Sequence, residues 1–243
     1  LPIIFNILIF IVLFQRKRIS VDKTTDLSYK KILIITGGYI KEGLLESLIR
    51  KEKYSFVIAA DKGLVSANRI NLKPDYIIGD FDSVPPKLLS EYKAKAIPVE
   101  TFPKMKDKTD THIALEIALG YNPSFIDIVG ATGSRMDHTI SNIELLMNAL
   151  NQDVNVRILD ENNCIYLKNK NFIIKKSEQY GDFISLLAFS NQVNGLKLVG
   201  FKYPLNCVTL TKGSSLGVSN ELLEEEGRVY FEEGILAVIE ARD

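Results

Sequence analysis

Four continuous apolar runs in the first half of the chain each end in glycine, aspartate or both, and this pattern constrains the fold more than any other feature. Residues 31–36 run into Gly37-Gly38, residues 55–60 into Asp61-Lys62-Gly63, residues 76–78 into Gly79-Asp80-Phe81-Asp82, and residues 125–129 into Gly130-Ala131-Thr132-Gly133. Unbroken apolar runs of this length are strands buried on both faces, which is the habit of parallel sheets. The gaps between them carry helical spacing. Leu44, Leu45, Leu48 and Ile49 fall on one face of a helix over 42–53, a shorter helix covers 64–69, and Pro85-Pro86 opens another. Residues 96–99 fit a further short strand. Asp110 begins a helix burying Ile113, Ala114, Ile117 and Ala118, and the last helix of this half buries Ile140, Ile143, Met147 and Leu150. Strands alternating with helices give a mostly parallel α/β sheet with helices on both faces. Ligands of such sheets lie at the carboxyl ends of the strands, where the glycines and acids collect.

The period changes near Asn155. Short apolar or alternating runs follow at 156–159, 164–167, 172–174, 183–188, 196–199, 208–210, 228–231 and 235–241. Polar turns separate them, and Glu232-Glu233-Gly234 reads as the turn of a hairpin. This half predicts an all-β sandwich. The expected organisation is an α/β domain over 29–152 followed by a β-sandwich over 153–243.

Thirty basic residues balance thirty acidic ones. No net field draws the chain to nucleic acid or to an anionic membrane, so local groups must hold any anionic substrate. Cys164 and Cys207 have no Cys-x-x-Cys spacing and no neighbouring histidines, which argues against a disulfide scaffold or a zinc site. Two buried thiols in a reducing, cytoplasmic setting are the expectation. Residues 1–14 are apolar except for Asn6, and Arg16-Lys17-Arg18 follow. The run is too short to span a bilayer comfortably and lacks the layout of a secretory signal. Residues 1–28 are expected to be an extension outside the fold, without a membrane role.

Asp80 and Asp82 alternate. If the strand continues, both carboxylates point the same way, where Mg²⁺ shared with a phosphate would relieve their repulsion; a polar turn capping a strand is the plainer reading. Asp107 and Asp110 add two acids, although Asp110 is also explained as an acid favoured at a helix N-terminus. Arg135 offers a rigid fork of donors for phosphate, and Lys62, Lys106 and Lys108 add positive charge. There is no G-x-x-x-x-G-K-[ST] loop and no nucleophile–base pair.

Five blocks, in this order, resemble the thiamine pyrophosphokinase family. They are Ala60-Asp61-Lys62-Gly63; Pro74-Asp75-Tyr76-Ile77-Ile78-Gly79-Asp80-Phe81-Asp82-Ser83; Lys106-Asp107-Lys108-Thr109-Asp110; Gly130-Ala131-Thr132-Gly133-Ser134-Arg135-Met136-Asp137-His138; and Tyr203-Pro204-Leu205 with Gly213 through Glu221. The resemblance spans about 31–241. It implies transfer of pyrophosphate from ATP to the thiamine hydroxyl, giving thiamine diphosphate and AMP. It implies that Asp80, Asp82, Asp107 and Asp110 serve Mg²⁺ and catalysis. Gly37, Asp61, Lys62, Gly63, Thr109, Gly130, Arg135, Asp137 and His138 would surround ATP. Ser219 and Asn220 would hydrogen-bond thiamine. Some family members stack a tryptophan on thiamine; this chain has none, and Tyr203 stands at the apparent equivalent. The resemblance further implies a homodimer whose sites are shared between subunits. Three other readings stay open: a pyrophosphokinase for a pterin-like hydroxymethyl heterocycle, an Asp-x-Asp nucleotide-sugar transferase, and a non-catalytic binding module.

Overall fold

The computed structural model describes residues 31–103, 105 and 107–243. The expected N-terminal extension and the charge of Lys106 lie outside these residues. The first half contains strands β1 (Lys31–Ile35), β2 (Phe56–Ala60), β3 (Tyr76–Gly79), β4 (Val99–Thr101) and β5 (Phe125–Val129). Between and after them come helices α1 (Leu44–Lys51), α2 (Gly63–Arg69), α3 (Pro86–Ala94), α4 (Asp110–Leu119) and α5 (Met136–Leu150). The second half is all strand: β6 (Asn155–Leu159), β7 (Asn163–Lys168), β8 (Phe172–Lys175), β9 (Phe183–Ala188), β10 (Gln192–Val199), β11 (Leu205–Thr211), β12 (Glu226–Tyr230) and β13 (Leu236–Ala241).

The strands form a nine-stranded sheet of order β4-β3-β2-β1-β5-β6-β7-β13-β9 and a four-stranded sheet of order β11-β10-β12-β8. Pairing is parallel from β4 through β6 and antiparallel from β6 to β9. The α/β half and the β-sandwich are thus both present, and one sheet runs through both. Its two faces are covered differently. On one face α4 and α5 bury Ala114, Leu115, Leu146 and Ala149 against Ile34, Ile58, Ile128 and Ile165. On the other, α1 covers Leu33, Ile35, Val57 and Val129. Nearby, α2 and α3 pack on Ala59 and Ile77. Beyond the helices the four-stranded sheet takes over, packing Ile174, Leu196, Leu198 and Val229 onto Ile184, Leu186, Leu236 and Val238. Among the described residues the most buried charge is Asp127, which receives Arg157 Nε at 2.9 Å and Tyr54 Oη at 2.7 Å.

Four expectations change. Residues 232–234 do not close a hairpin: β12 pairs with β10 and β8, whereas β13 pairs with β7 and β9 in the other sheet. The polar turn is a crossing between layers, because Phe231 and Leu236 both point into the sandwich core. The strand expected at 96–99 begins at Val99, since Ala96 has φ 55 and Pro98 has no N–H to give. Helix α5 packs Ile143, Met147 and Leu150 partly buried against the core as expected, but its most buried residues are Asn142, Leu146 and Ala149, and Ile140 is 56% exposed. Asn142 is accommodated inside because its amide donates to the Ala131 carbonyl at 2.7 Å. Finally, Cys164 is buried but Cys207 is exposed, at φ 54 in β11. No helix among the described residues is long and apolar enough to cross a membrane.

Candidate active site

The chain lays β1 to β4 outward in one direction and then places β5 on the opposite side of β1. Between β1 and β5 the strand order reverses, and the crevice at their carboxyl ends is where open α/β sheets take ligands. The two strand ends are tied closely there. Gly38 N donates to the Gly130 carbonyl at 2.9 Å, and Thr36 Oγ1 donates to the Val129 carbonyl at 3.1 Å. A Cβ on Gly38 would lie 2.2 Å from the Gly130 oxygen, so only glycine lets the backbones approach this closely. Gly37 stands one residue before this contact, and a Cβ added to it would lie 3.3 Å from Lys62 Cβ and 3.8 Å from Asp61 Oδ2.

The acids come from the next two strand ends. Parallel register places Ala60 opposite Ile78, and Asp61 N donates to the Ile78 carbonyl at 2.7 Å. Gly79, at φ 151, lets β3 end against Asp61, whose Cα would be 3.0 Å from any Cβ added there. After Gly79 the chain does not stay extended. Phe81 adopts φ 61 and is buried, and Asp82 N donates to Asp80 Oδ1 at 3.1 Å. The two carboxylates therefore converge through a left-handed turn, not through strand alternation. Asp61 joins them: one carboxylate oxygen from each of Asp61, Asp80 and Asp82 lies within 4.8 Å of the others.

Electrostatics mark Asp61 further. It sits at φ 48, and its Oδ1 is buried without a hydrogen-bond partner. Burial pushes its carboxyl above the ordinary range. The Lys62 backbone N–H opposes this, and the charges of Asp110, Asp80 and Asp82 reinforce it. A buried, unpartnered oxygen amid like charges is costly, and a hard divalent cation with oxygen ligands removes both penalties. The donor set fits Mg²⁺.

The remaining candidates are placed around this cluster. Asp110 occupies the first turn of α4, capped by Thr109, whose hydroxyl oxygen accepts from His112 N at 3.2 Å. Asp107 is exposed in the linker before α4 and is not among the three converging acids. Lys62 is exposed at the N-cap of α2, and Gly63 is buried in its first turn. Arg135 occupies the N-cap position of α5 and forms a two-point ion pair with Asp137, at 2.5 Å from Nη2 and 3.2 Å from Nε. That fork, with the His138 backbone N–H, holds the Asp137 carboxyl down at about 2. Arg135, Asp137 and His138 are all exposed on the segment that follows Gly133.

Tyr203, Ser219 and Asn220 lie elsewhere, on the β half. Tyr203 is 56% exposed, and Ser219 is exposed at φ 55. Asn220 is buried between them. Two residues that support the site escape sequence reasoning. Asn142 holds the Gly130–Gly133 loop through Ala131, and Ser185 Oγ accepts from Ser219 N at 3.0 Å. Nothing in their sequence neighbourhood marks either; a polar residue on an amphipathic segment reads as solvent-facing.

Comparison with known proteins places the same two halves. Residues 47–158 match the family described as thiamin pyrophosphokinase, catalytic domain, and residues 171–236 match thiamin pyrophosphokinase, vitamin B1 binding domain. A thiamine pyrophosphokinase from Bacillus subtilis is 34% identical over 215 residues, covering 88% of this chain and all of the relative. A solved thiamine pyrophosphokinase structure from Bacillus subtilis superposes with a TM-score of 0.80 at 34% identity, covering 88% of this chain and 100% of its own. One from Geobacillus thermodenitrificans gives 0.75 at 30% identity over 88% and 98%. The yeast thiamin pyrophosphokinase structure, 17% identical, shares the fold, with a TM-score of 0.72 over 90% and 88% of the two chains.

Proposed function

The chain belongs to the thiamine pyrophosphokinase family, and from that premise we propose how its residues transfer pyrophosphate from ATP to the hydroxyl of thiamine, giving thiamine diphosphate and AMP. The observation that carries the proposal is the convergence of Asp61, Asp80 and Asp82, with one buried oxygen left unpartnered, beside a strand-order reversal. Asp61, Asp80 and Asp82 would hold Mg²⁺, with Asp110 adjacent, and the cation would neutralise charge on the transferring phosphates. Asp107 stays in the acid set on resemblance alone.

The chain's own groups do the rest by positioning, as phosphoryl transfer requires. The glycine turns after β1 and β5 pack against each other and bring the two strand ends together, and the polyphosphate would lie over them beside open Gly133. Lys62, Thr109 and His138 border it. Arg135 carries a guanidinium fork that is exposed and paired only to exposed Asp137, so a phosphate can compete for it. Tyr203 offers an exposed aromatic face to a cationic, planar ligand, and Ser219 a hydroxyl. The division at 152/153 is one of function: phosphate chemistry on one side and thiamine recognition on the other, with the nine-stranded sheet running through both. The working environment is cytoplasmic, in keeping with two free cysteines.

We further propose a homodimer with shared sites. Asp80 and Asp82 follow β3, whereas Ser219 and Asn220 lie against β9, seven strands away in the same sheet. At about 4.8 Å per strand the separation is on the order of 30 Å, too far for one thiamine diphosphate. The described large apolar side chains left exposed also favour this arrangement. Tyr39, Met105, Met136 and Ile140 lie on the segments that follow β1, precede α4 and begin α5; Ile173, Tyr203, Leu216, Val218, Leu223 and Tyr230 lie on the β half. Apposing these two groups across a two-fold axis completes two sites at once.

The test is product analysis after mixing protein, Mg²⁺, ATP and one acceptor at a time. Thiamine should yield AMP and thiamine diphosphate in equal amounts. A hydroxymethyl pterin that serves better than thiamine, or release of a nucleoside diphosphate from a nucleotide sugar, would replace the proposal.

A further inference from the structure

The side chain of Asn220 is 4% exposed and already engaged on both ends. Its Oδ1 accepts from Tyr203 N at 3.0 Å and from Glu221 N at 2.9 Å, and its Nδ2 donates to the Tyr203 carbonyl at 2.8 Å. Two N–H donors on one atom and a carbonyl facing the other fix which end is oxygen. With two N–H groups accepted, Oδ1 has no lone pair left for a ligand, and the second Nδ2 N–H belongs to a side chain only 4% exposed.

The backbone around Asn220 is pinned as well. Asn220 exchanges two hydrogen bonds with Ile184 of β9, at 2.7 and 2.9 Å. Two residues on, Leu222 bridges Phe201, next to the Tyr203 loop, and Lys202 N donates to the Glu221 carbonyl at 2.8 Å. This strap joins the edge of the nine-stranded sheet to the loop between β10 and β11. Tyr203 projects from that loop 56% exposed, held at both its N–H and its carbonyl by one buried amide.

We propose that Asn220 acts on thiamine through Tyr203: it is a positioning residue that sets the aromatic shelf, and Ser219 is the residue at this turn that contacts the substrate. This rests on the reading of Tyr203 as the thiamine shelf. The structural reason is that a tyrosine on an exposed loop binds well only if its ring is already oriented, since ordering it on binding costs affinity.

The experiment is a double-mutant cycle on thiamine-dependent AMP formation, with amide hydrogen exchange at Tyr203 as a second readout. Asn220→Ala should raise the thiamine KM by roughly tenfold, the scale of losing one or two buried hydrogen bonds, with the ATP KM unchanged and Tyr203 N–H exchange accelerated. Asn220→Asp, which keeps both acceptor bonds but sets a carboxylate oxygen against the Tyr203 carbonyl, should also raise the thiamine KM with the ATP KM unchanged. In a Tyr203→Ala background, either change should add little, because its effect passes through the ring already removed. Full multiplication of the two effects would show direct contact by Asn220 and overturn the proposal. A fall in kcat and in melting temperature with thiamine KM unaltered would show a merely structural role and also overturn it. If Asn220→Ala does not fold, Asn220→Asp alone carries the cycle. A Tyr203→Ala enzyme with normal thiamine KM would remove the shelf and this proposal with it, while thiamine-dependent AMP formation would still support the overall function.

Discussion

Asp61 pays for its place in the cluster with a left-handed backbone and a buried oxygen that no protein group satisfies. Its carboxyl is raised by burial, and Asp110, Asp80 and Asp82 push in the same direction. A carboxyl whose folded value is raised contributes stability below its ordinary titration range and loses it as pH rises through the raised value. Without a divalent cation, then, the charged Asp61 destabilises the protein at neutral pH. Asp61→Asn in chelator should raise the melting temperature at neutral pH and change it little in acid, where Asp61 is protonated; asparagine also accepts the left-handed backbone. The same variant should lose most of the stabilisation that Mg²⁺ gives the parent, measured by thermal unfolding with and without the ion. Asp82→Asn should keep the fold, checked by circular dichroism, and lower AMP formation by two or more orders of magnitude on the scale of lost charge stabilisation. Near-normal turnover in that folded variant would dissociate Asp82 from the reaction. The pair Asp80 and Asp82 was legible in the sequence as alternation, although the geometry that joins them is the Phe81 turn. Asp61 was legible as a strand-end acid, but its union with the pair depends on parallel register between β2 and β3, which no local pattern reveals.

At the level of elements, the glycine-ended strands of the first half were readable because apolar continuity and chain-breaking glycine both act locally. What glycine does there is not local: Gly38 is small because the Gly130 carbonyl arrives from the end of β5, far later in the chain, and only the structure shows the contact. Gly38→Ala should therefore cost about 1–3 kcal/mol, the usual penalty for forcing atoms into a filled space, and weaken ATP use. Gly133→Ala meets nothing within 4 Å and should leave stability near the parent value. Urea unfolding of both variants measures the contrast, and equal losses would contradict the close-packed strand ends. The β half was legible as strands and turns but not as pairings. Gly234 and its acidic neighbours have the composition of a hairpin turn, yet the two strands they join enter different sheets because both must bury apolar residues in the sandwich. Strand β10 begins at Gln192, ahead of the expected run 196–199, and Gly195, at φ 67, lies at a register shift within it.

Across the whole molecule a nine-stranded sheet, backed in its second half by a four-stranded one, separates the acids at the β2–β3 end from the proposed thiamine shelf, on the loop tied to β9 through Asn220. Sequence motifs carried both ends, but strand order, and with it the distance between them, became visible only in the fold. That distance is why a second subunit is proposed to complete each site. The direct measurement is subunit complementation. Asp82→Asn and a Tyr203→Ala/Ser219→Ala double variant, each weakly active alone, are mixed and allowed to exchange subunits, with mixed dimers counted by native mass spectrometry. In a mixed dimer with shared sites, one site carries both lesions and the other carries neither, so thiamine-dependent AMP formation should return toward half the parent rate per mixed dimer. If mixed dimers form and activity stays at the level of the separate variants, each site lies within one subunit, and the shared-site account is wrong.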